Sequence, residues 1–180
     1  MTILYIPGLG DDKTNQRQRR YLEWRYRNSD TKLIFYDSKW LSDENYNQKW
    51  QRLEKILSTI DLENTHVIGV SAGGSLLVRA VQEYPSIGTA HAVSSKLINA
   101  DGIGENYRKR APALYDAVLV SQSMIDDKNL SLKTTIYRPL YDNVVPLSNM
   151  IIPNARRKRN PMIGHAAGII WFLLFMLPKY

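Results

Sequence analysis

Thr65-His66-Val67-Ile68-Gly69-Val70-Ser71-Ala72-Gly73-Gly74 is the stretch on which the reading of this chain turns. Its first six residues form a short run, mostly apolar and β-branched, of the kind that makes a buried strand. Its last residues open a segment, 73–84, that reads as a helix carrying Leu76, Leu77 and Val78 and stopped by Pro85. Between them lies G-x-S-x-G. At a strand-to-helix junction this pattern has a specific mechanical meaning. The turn is sharp, the serine backbone is strained, and the hydroxyl is left exposed at the carboxyl end of the strand. The glycines let strand and helix approach closely. The new helix points free amides and the positive end of its dipole at the same spot. The competing explanation is a tight glycine turn that serves packing alone.

Strand-like and helix-like segments alternate outward from this point. Upstream, residues 2–7 read as a strand closed by Gly8-Leu9-Gly10, residues 14–27 as a helix, and residues 32–36 as a strand ending at Asp37. Residues 44–60 place Trp50, Leu53, Leu57 and Ile60 three, four and three apart, an amphipathic helix. Downstream come a strand over 89–93, a looser stretch with Gly102 and Gly104, and a helix over 113–124. A strand over 132–138, a short strand over 159–163 and a last apolar helix follow. Each parallel strand pair needs a crossover, so the alternation predicts the α/β class: three layers, α/β/α, around a mostly parallel central sheet of about six strands. A length of 180 residues suits a single domain over 1–180, with a small or absent lid around 97–112. Ligands of such sheets sit at the carboxyl ends of the strands. The residues just past each strand are therefore the ones to search.

Composition narrows the function classes. Hydrophobic residues make up 44% and charged residues 23%, a globular balance. The net charge of +7 raises a nucleic-acid or acidic-surface reading. Yet the cations are spread over the first helix, Arg108-Lys109-Arg110 and Arg156-Arg157-Lys158-Arg159, with no helix-turn-helix, zinc-finger or base-stacking motif, so no nucleic-acid partner is expected. Cysteine is absent, which excludes disulfides and thiolate metal sites. The chain enters its first strand without a charged leader, so a cytoplasmic location is expected. Residues 166–177 carry no charge but fall short of the roughly 20 apolar residues of a membrane span. They read as a buried last helix; the alternative is membrane contact through this apolar segment.

A serine hydroxyl needs a base to become a nucleophile. Of the three histidines, His66 and His91 lie inside strand patterns and read as core or rim residues. His165 follows the last short strand in Pro161-Met162-Ile163-Gly164-His165-Ala166, and it is the candidate base. The imidazole in turn needs a carboxylate to set its tautomer and stabilise its cation. Asp142 lies just past the fifth strand in Tyr141-Asp142-Asn143-Val144-Val145-Pro146 and is the candidate acid, against a plain Asx turn. Two backbone N–H groups would receive the oxyanion, those of Ala72 and Leu9. The glycine turn at 8–10 lacks G-x-G-x-x-G and the P-loop lysine, so nucleotide binding is not expected.

These pieces together resemble the α/β-hydrolase superfamily along nearly the whole chain. Tyr5-Ile6-Pro7-Gly8-Leu9-Gly10 matches its oxyanion loop, and residues 66–74 its nucleophile elbow. Asp142-Asn143-Val144-Val145-Pro146 matches its acid loop and Gly164-His165-Ala166 its histidine loop. The resemblance implies a serine hydrolase that takes a small acyl substrate, an ester, a thioester or a small amide, through an acyl-enzyme on Ser71, with no metal or organic cofactor. Three features depart from the pattern. Tyr5-Ile6 stands where a histidine usually precedes the oxyanion glycine. The chain opens at what is normally an inner strand. The intervals from Ser71 to Asp142 and from Asp142 to His165 are short. In outline it resembles the small, capless single-domain serine hydrolases. Two alternatives stay open: a non-catalytic binding module on the same fold, and a membrane-tethered lipid hydrolase or acyltransferase using the same three residues.

Overall fold

The computed structural model describes residues 1–178. Six strands, β1 (Thr2–Ile6), β2 (Lys32–Phe35), β3 (Thr65–Val70), β4 (Thr89–Val93), β5 (Thr134–Arg138) and β6 (Arg156–Arg159), form one sheet in the order β2-β1-β3-β4-β5-β6. Every neighbouring pair is parallel. The helices among the described residues are α1 (Asp12–Tyr26), α2 (Tyr46–Leu57), α3 (Gly73–Glu83), α4 (Glu105–Arg110), α5 (Pro112–Met124), α6 (Lys128–Lys133) and α7 (His165–Phe175).

The sheet is buried on both faces, which is why β1 shows no alternation: all five of its residues are buried. Ile3 and Tyr5 face a core shared with Ile68, Val70, Val93, Tyr137 and the α1 and α7 side chains Leu22, Tyr26, Ile169 and Phe172. Leu4 and Ile6 face the larger core, built with Val67, Ala92 and Ile136 against α2, α3 and α5. The chain steps from β1 to β2 in one direction and then from β3 onward in the other. Right-handed crossovers therefore put α1 on one face and α2, α3 and α5 on the opposite one. The reversal lies between β1 and β3, and a crevice opens there at the carboxyl ends.

Three elements differ from the expectation. The sixth strand is Arg156–Arg159, not 159–163. It is the sheet edge, with three of its four residues exposed, so no apolar pattern marks it, and charge on an edge discourages further pairing. Residues 160–163 instead carry the chain back toward α7, held to β5 and its extension by the Asn160 amide on the Arg138 carbonyl (3.0 Å) and by the bridge of Tyr141 to Ile163. The start of the expected fifth strand is taken by α6, which Asp127 caps by accepting from the Leu130 amide at 2.9 Å. The last helix is two-faced. Gly168, Ile169, Phe172 and Leu173 are buried, whereas Ile170, Leu174 and Phe175 are exposed. Burial thus applies to one side of it only. No helix among the described residues is long and apolar enough to cross a membrane. Residues 97–112 form a short helical turn, Ala100–Gly102, and α4.

The tightest packing is at the start of α3. A Cβ on Gly73 would lie 2.2 Å from the Ile6 carbonyl oxygen, a backbone atom that cannot swing away. By contrast, a Cβ on Gly104 would meet nothing within 4 Å. Gly73→Ala is therefore expected to destabilise the fold by about 1–3 kcal/mol or more. Gly104→Ala is expected to change it little. Urea unfolding midpoints of the two variants check this.

Candidate active site

β3 delivers Ser71 to the crevice. Its backbone is left-handed, φ 52°, a conformation costly for a residue with a Cβ. The surrounding hydrogen bonds hold it there: the Ser71 amide donates to the Val93 carbonyl (2.9 Å), and its carbonyl accepts from the amides of Gly74 (3.2 Å) and Lys96 (3.3 Å). The Gly8 backbone crosses directly over it, so close that a Cβ there would be 2.7 Å from Ser71 Cβ.

Asp142 and His165 come from the extension of the sheet beyond β5 and β6. The Leu140 amide donates to Met162 (2.9 Å) and the Gly164 amide to Tyr141 (2.8 Å), so the two loops are zipped together. Asn143 Oδ1 accepts from the His165 amide (3.1 Å). Gly164, at φ 107°, makes the turn that starts α7.

The side chains then meet. His165 Nδ1 lies 2.8 Å from Asp142 Oδ2, and His165 Nε2 lies 3.0 Å from Ser71 Oγ. Asp142 Oδ1 accepts from the amides of Val144 (2.9 Å) and Val145 (2.8 Å). Burial raises the pKa of this carboxyl, but the hydrogen bond to His165 and the two amides outweigh it and hold the pKa below the ordinary carboxylate range. An ionised Asp142 can only accept, so Nδ1 carries the proton and donates. The lone pair of Nε2 is thereby turned toward the Ser71 hydroxyl.

The backbone N–H groups of Leu9 and Ala72 donate to no other group among the described residues. The Leu9 loop is fixed from behind: the buried indole of Trp40 donates to the Pro7 carbonyl at 3.0 Å. Trp40 itself follows Lys39, whose backbone is left-handed at φ 45°. The buried Lys49 ammonium braces that turn through the Lys39 carbonyl and Ser42 Oγ (3.0 Å), with Glu44 at 3.6 Å.

No family model matches the sequence, and no curated protein does. Solved structures do match. Alpha/beta hydrolase domain-containing protein 10 from mouse superposes with a TM-score of 0.68 at 12% identity, covering 96% of this chain and 86% of that one. A putative non-heme bromoperoxidase, BpoC, from Mycobacterium tuberculosis gives 0.66 at 14% identity, over 94% and 86%. An esterase from Exiguobacterium antarcticum gives 0.61 at 12%, over 96% and 86%. The chain has the α/β-hydrolase fold.

In this α/β-hydrolase fold Ser71, Asp142 and His165 occupy one end of the sheet, although they lie on three separate connections. His66 and His91 do not join them. They stack on each other, ring centroids 5.8 Å apart, on the face that α7 covers, with Thr89 Oγ1 2.6 Å from His66 Nδ1. Burial, with help from His66 and Lys158, pushes the pKa of His91 down to about 4, so it stays a neutral core residue at ordinary pH. Trp40, Asn143 and Lys96 were not expected at the site. Asn143 was visible beside the acid. Nothing local marks Trp40, which reaches the site only through the fold. Lys96 is 9% exposed, and burial lowers its pKa. A cleft of about 640 Å³, lined in part by Gly10, Asn15, Phe35, Lys39, Trp40 and Leu41, runs from the Leu9 loop over the end of β2. Among the described residues no three His, Cys, Asp or Glu side chains cluster in a way that would hold a metal ion.

The depressed pKa of Asp142 has a stability consequence. The fold gains from the charged carboxylate at every pH above its unfolded value, near pH 4. That gain is lost as the pH falls through the lower native value. Asp142→Asn is expected to be less stable than the unaltered chain by about 1–3 kcal/mol at neutral pH. The gap is expected to narrow as the pH falls below the ordinary aspartate value and to vanish once it passes the lowered native one. Urea midpoints at neutral pH and along an acid series check it.

Proposed function

We propose that this chain is a serine hydrolase that cleaves a small ester or thioester through an acyl-enzyme on Ser71. The observation that carries the reading is the unbroken hydrogen-bonded line from Asp142 through His165 to Ser71, with the imidazole lone pair facing the hydroxyl. An esterase among the similar structures supports it.

The chemistry follows from the geometry. As Ser71 Oγ attacks the acyl carbonyl carbon, His165 Nε2 takes its proton, and the ionised Asp142 stabilises the imidazolium across 2.8 Å. Negative charge develops on the carbonyl oxygen, which the free amides of Leu9 and Ala72 receive. Such donors act without reorganisation, and each is worth about 100- to 1000-fold in rate. The alkoxide or thiolate leaves with the proton from His165. Water then attacks the acyl-Ser71, with His165 again as base, releasing the acid and regenerating the hydroxyl. Apart from the substrate and that water, every group in this cycle is a side chain or amide of the chain itself. The open cleft beside the Leu9 loop suits the acyl or alcohol portion.

A fluorophosphonate probe is expected to label Ser71 in the folded protein. Ser71→Ala is expected to abolish labelling and to reduce p-nitrophenyl acetate hydrolysis by about 10⁴-fold or more. Folded protein that neither labels nor hydrolyses would instead be a binding module on this fold. Trp40→Phe keeps an aromatic ring in that core but removes the brace on Pro7. It is expected to lower kcat about 10-fold with KM nearly unchanged, because a loosened amide costs transition-state stabilisation rather than ground-state binding. Steady-state kinetics on the same ester separate the two parameters.

A further inference from the structure

The outer surface of α7 is unusual for a helix packed on a sheet. The buried side, Gly168, Ile169, Phe172 and Leu173, meets the core. The solvent side should then be polar. Instead it carries Ile170 (55% exposed), Leu174 (51%) and Phe175 (61%), with the Trp171 ring tilted against Phe175, centroids 5.6 Å apart. At its amino end the exposed Ile163, bridged to the exposed Tyr141, extends the apolar surface to the rim beside His165. There is no charged residue anywhere in α7.

Cations flank this ridge on both sides. On one flank, the carbonyl of Gly168 accepts from Asn160, the residue that follows β6, and Lys158 of β6 lies over Tyr137, which packs edge-on against Phe172. This places the Arg156–Arg159 strand alongside α7. Lys158 and Arg156, level with Tyr137 and Thr135, present their side chains on the α7 face, whereas Arg157 and Arg159, level with Ile136 and Arg138, turn to the other face. Arg156 is exposed and is not ion-paired among the described residues. On the other flank, Tyr21 of α1 donates to the Leu173 carbonyl at 3.1 Å. Arg17 and Trp24, four residues before and three after Tyr21, share its side of α1, and both are exposed. Trp24 lies 5.9 Å from the Tyr21 ring.

The geometry points to an anionic lipid surface as the occupant of this face: the apolar ridge of α7 enters the acyl–headgroup boundary while Arg17 on one shoulder and Arg156 and Lys158 on the other meet the headgroup phosphates. An apolar strip with an aromatic border and basic shoulders is the arrangement by which surface-bound helices hold an anionic membrane, with charge and apolar contact acting together. Charge also argues against a second copy of the chain. A two-fold pairing of α7 faces would bring cationic shoulders against cationic shoulders, and Glu23 of α1 is already paired with Arg19. Docking in this way would set the rim at Ile163 and His165 against the lipid. The docking itself does not rest on the chemistry of Ser71.

Flotation with phosphatidylcholine:phosphatidylglycerol vesicles and with pure phosphatidylcholine vesicles tests the assignment. Ser71→Ala is included so that binding is read without turnover. The unaltered chain and Ser71→Ala are both expected to float with the anionic vesicles, at least about 10-fold more than with the neutral ones, and raised salt should weaken this. Ile170→Ser/Leu174→Ser, at half-exposed positions that leave the core intact, should lose the binding. Arg17→Glu/Arg156→Glu, one exposed cation on each shoulder, should lose it independently. Circular dichroism and a thermal melt confirm that each variant is folded. Three results would overturn the proposal: no flotation with anionic vesicles, flotation untouched by both double variants, or a dimer in sedimentation velocity that Ile170→Ser/Leu174→Ser dissolves while vesicles bind nothing.

Discussion

Between Gly69 and Gly74 the backbone has to pass through a gap that admits no side chain at several points. The Ile6 and Pro7 carbonyls close it on one side and Ser95 on the other; Cβ atoms on Gly73 or Gly74 would lie 2.2–2.3 Å from their nearest neighbours. The crowding follows from topology. β3 lies beside β1 in the middle of the sheet, and α3 must leave it at once to cover the larger core. A turn that sharp cannot keep ordinary strand geometry. Ser71 adopts φ 52°, and its side chain is thrown clear of both strand and helix, facing the crevice under Gly8. The strain at one residue is held by three backbone hydrogen bonds and by the two cores on either side of the sheet.

Charge is handled in two opposite ways in this small molecule. His91 is half-buried with no acid paired to it among the described residues, and desolvation keeps its ring neutral at ordinary pH. Asp142 is buried, yet it keeps its charge, because two amides and one imidazole N–H converge on it. An isolated carboxylate at that depth would take up a proton, and the histidine would lose the partner that sets its tautomer. The Asx-type turn through Val144 and Val145 is therefore an electrostatic device as well as a change of direction. It turns the carboxylate toward α7, where Gly164 and Asn143 present the imidazole.

The two flanks of the sheet differ in how completely they are covered. The α2–α3–α5 side is closed by a broad apolar layer. Among the described residues the other side has only α1 and α7, and both carry exposed aromatic or apolar side chains on their outer surfaces. The edge strand beside them is a run of four cations. For the hydrolase proposed above, such a surface next to the His165 loop would decide where the reaction takes place rather than what the reaction is.

Much of this was legible in the one-dimensional pattern, since it depends on local rules. Alternating apolar runs and amphipathic helices establish the α/β class, and a glycine-flanked serine at a strand-to-helix junction marks the elbow. Asp142 and His165 could be read as loop residues because each follows a strand-like segment. What local rules could not reach was decided by tertiary contact. β6 was misplaced because an edge strand pairs on one side only and needs no apolar alternation, so Arg156–Arg159 gave no strand signal. Trp40 braces Pro7 across 33 positions of chain, and no spacing announces such a contact. The two-faced burial of α7 was equally hidden, because a helix apolar all round has no periodicity to say which side faces inward. Residue types and local periodicity determined the elements and the candidate chemistry. The packing of those elements determined which groups touch, because distances between side chains far apart in the chain exist only once both cores have formed.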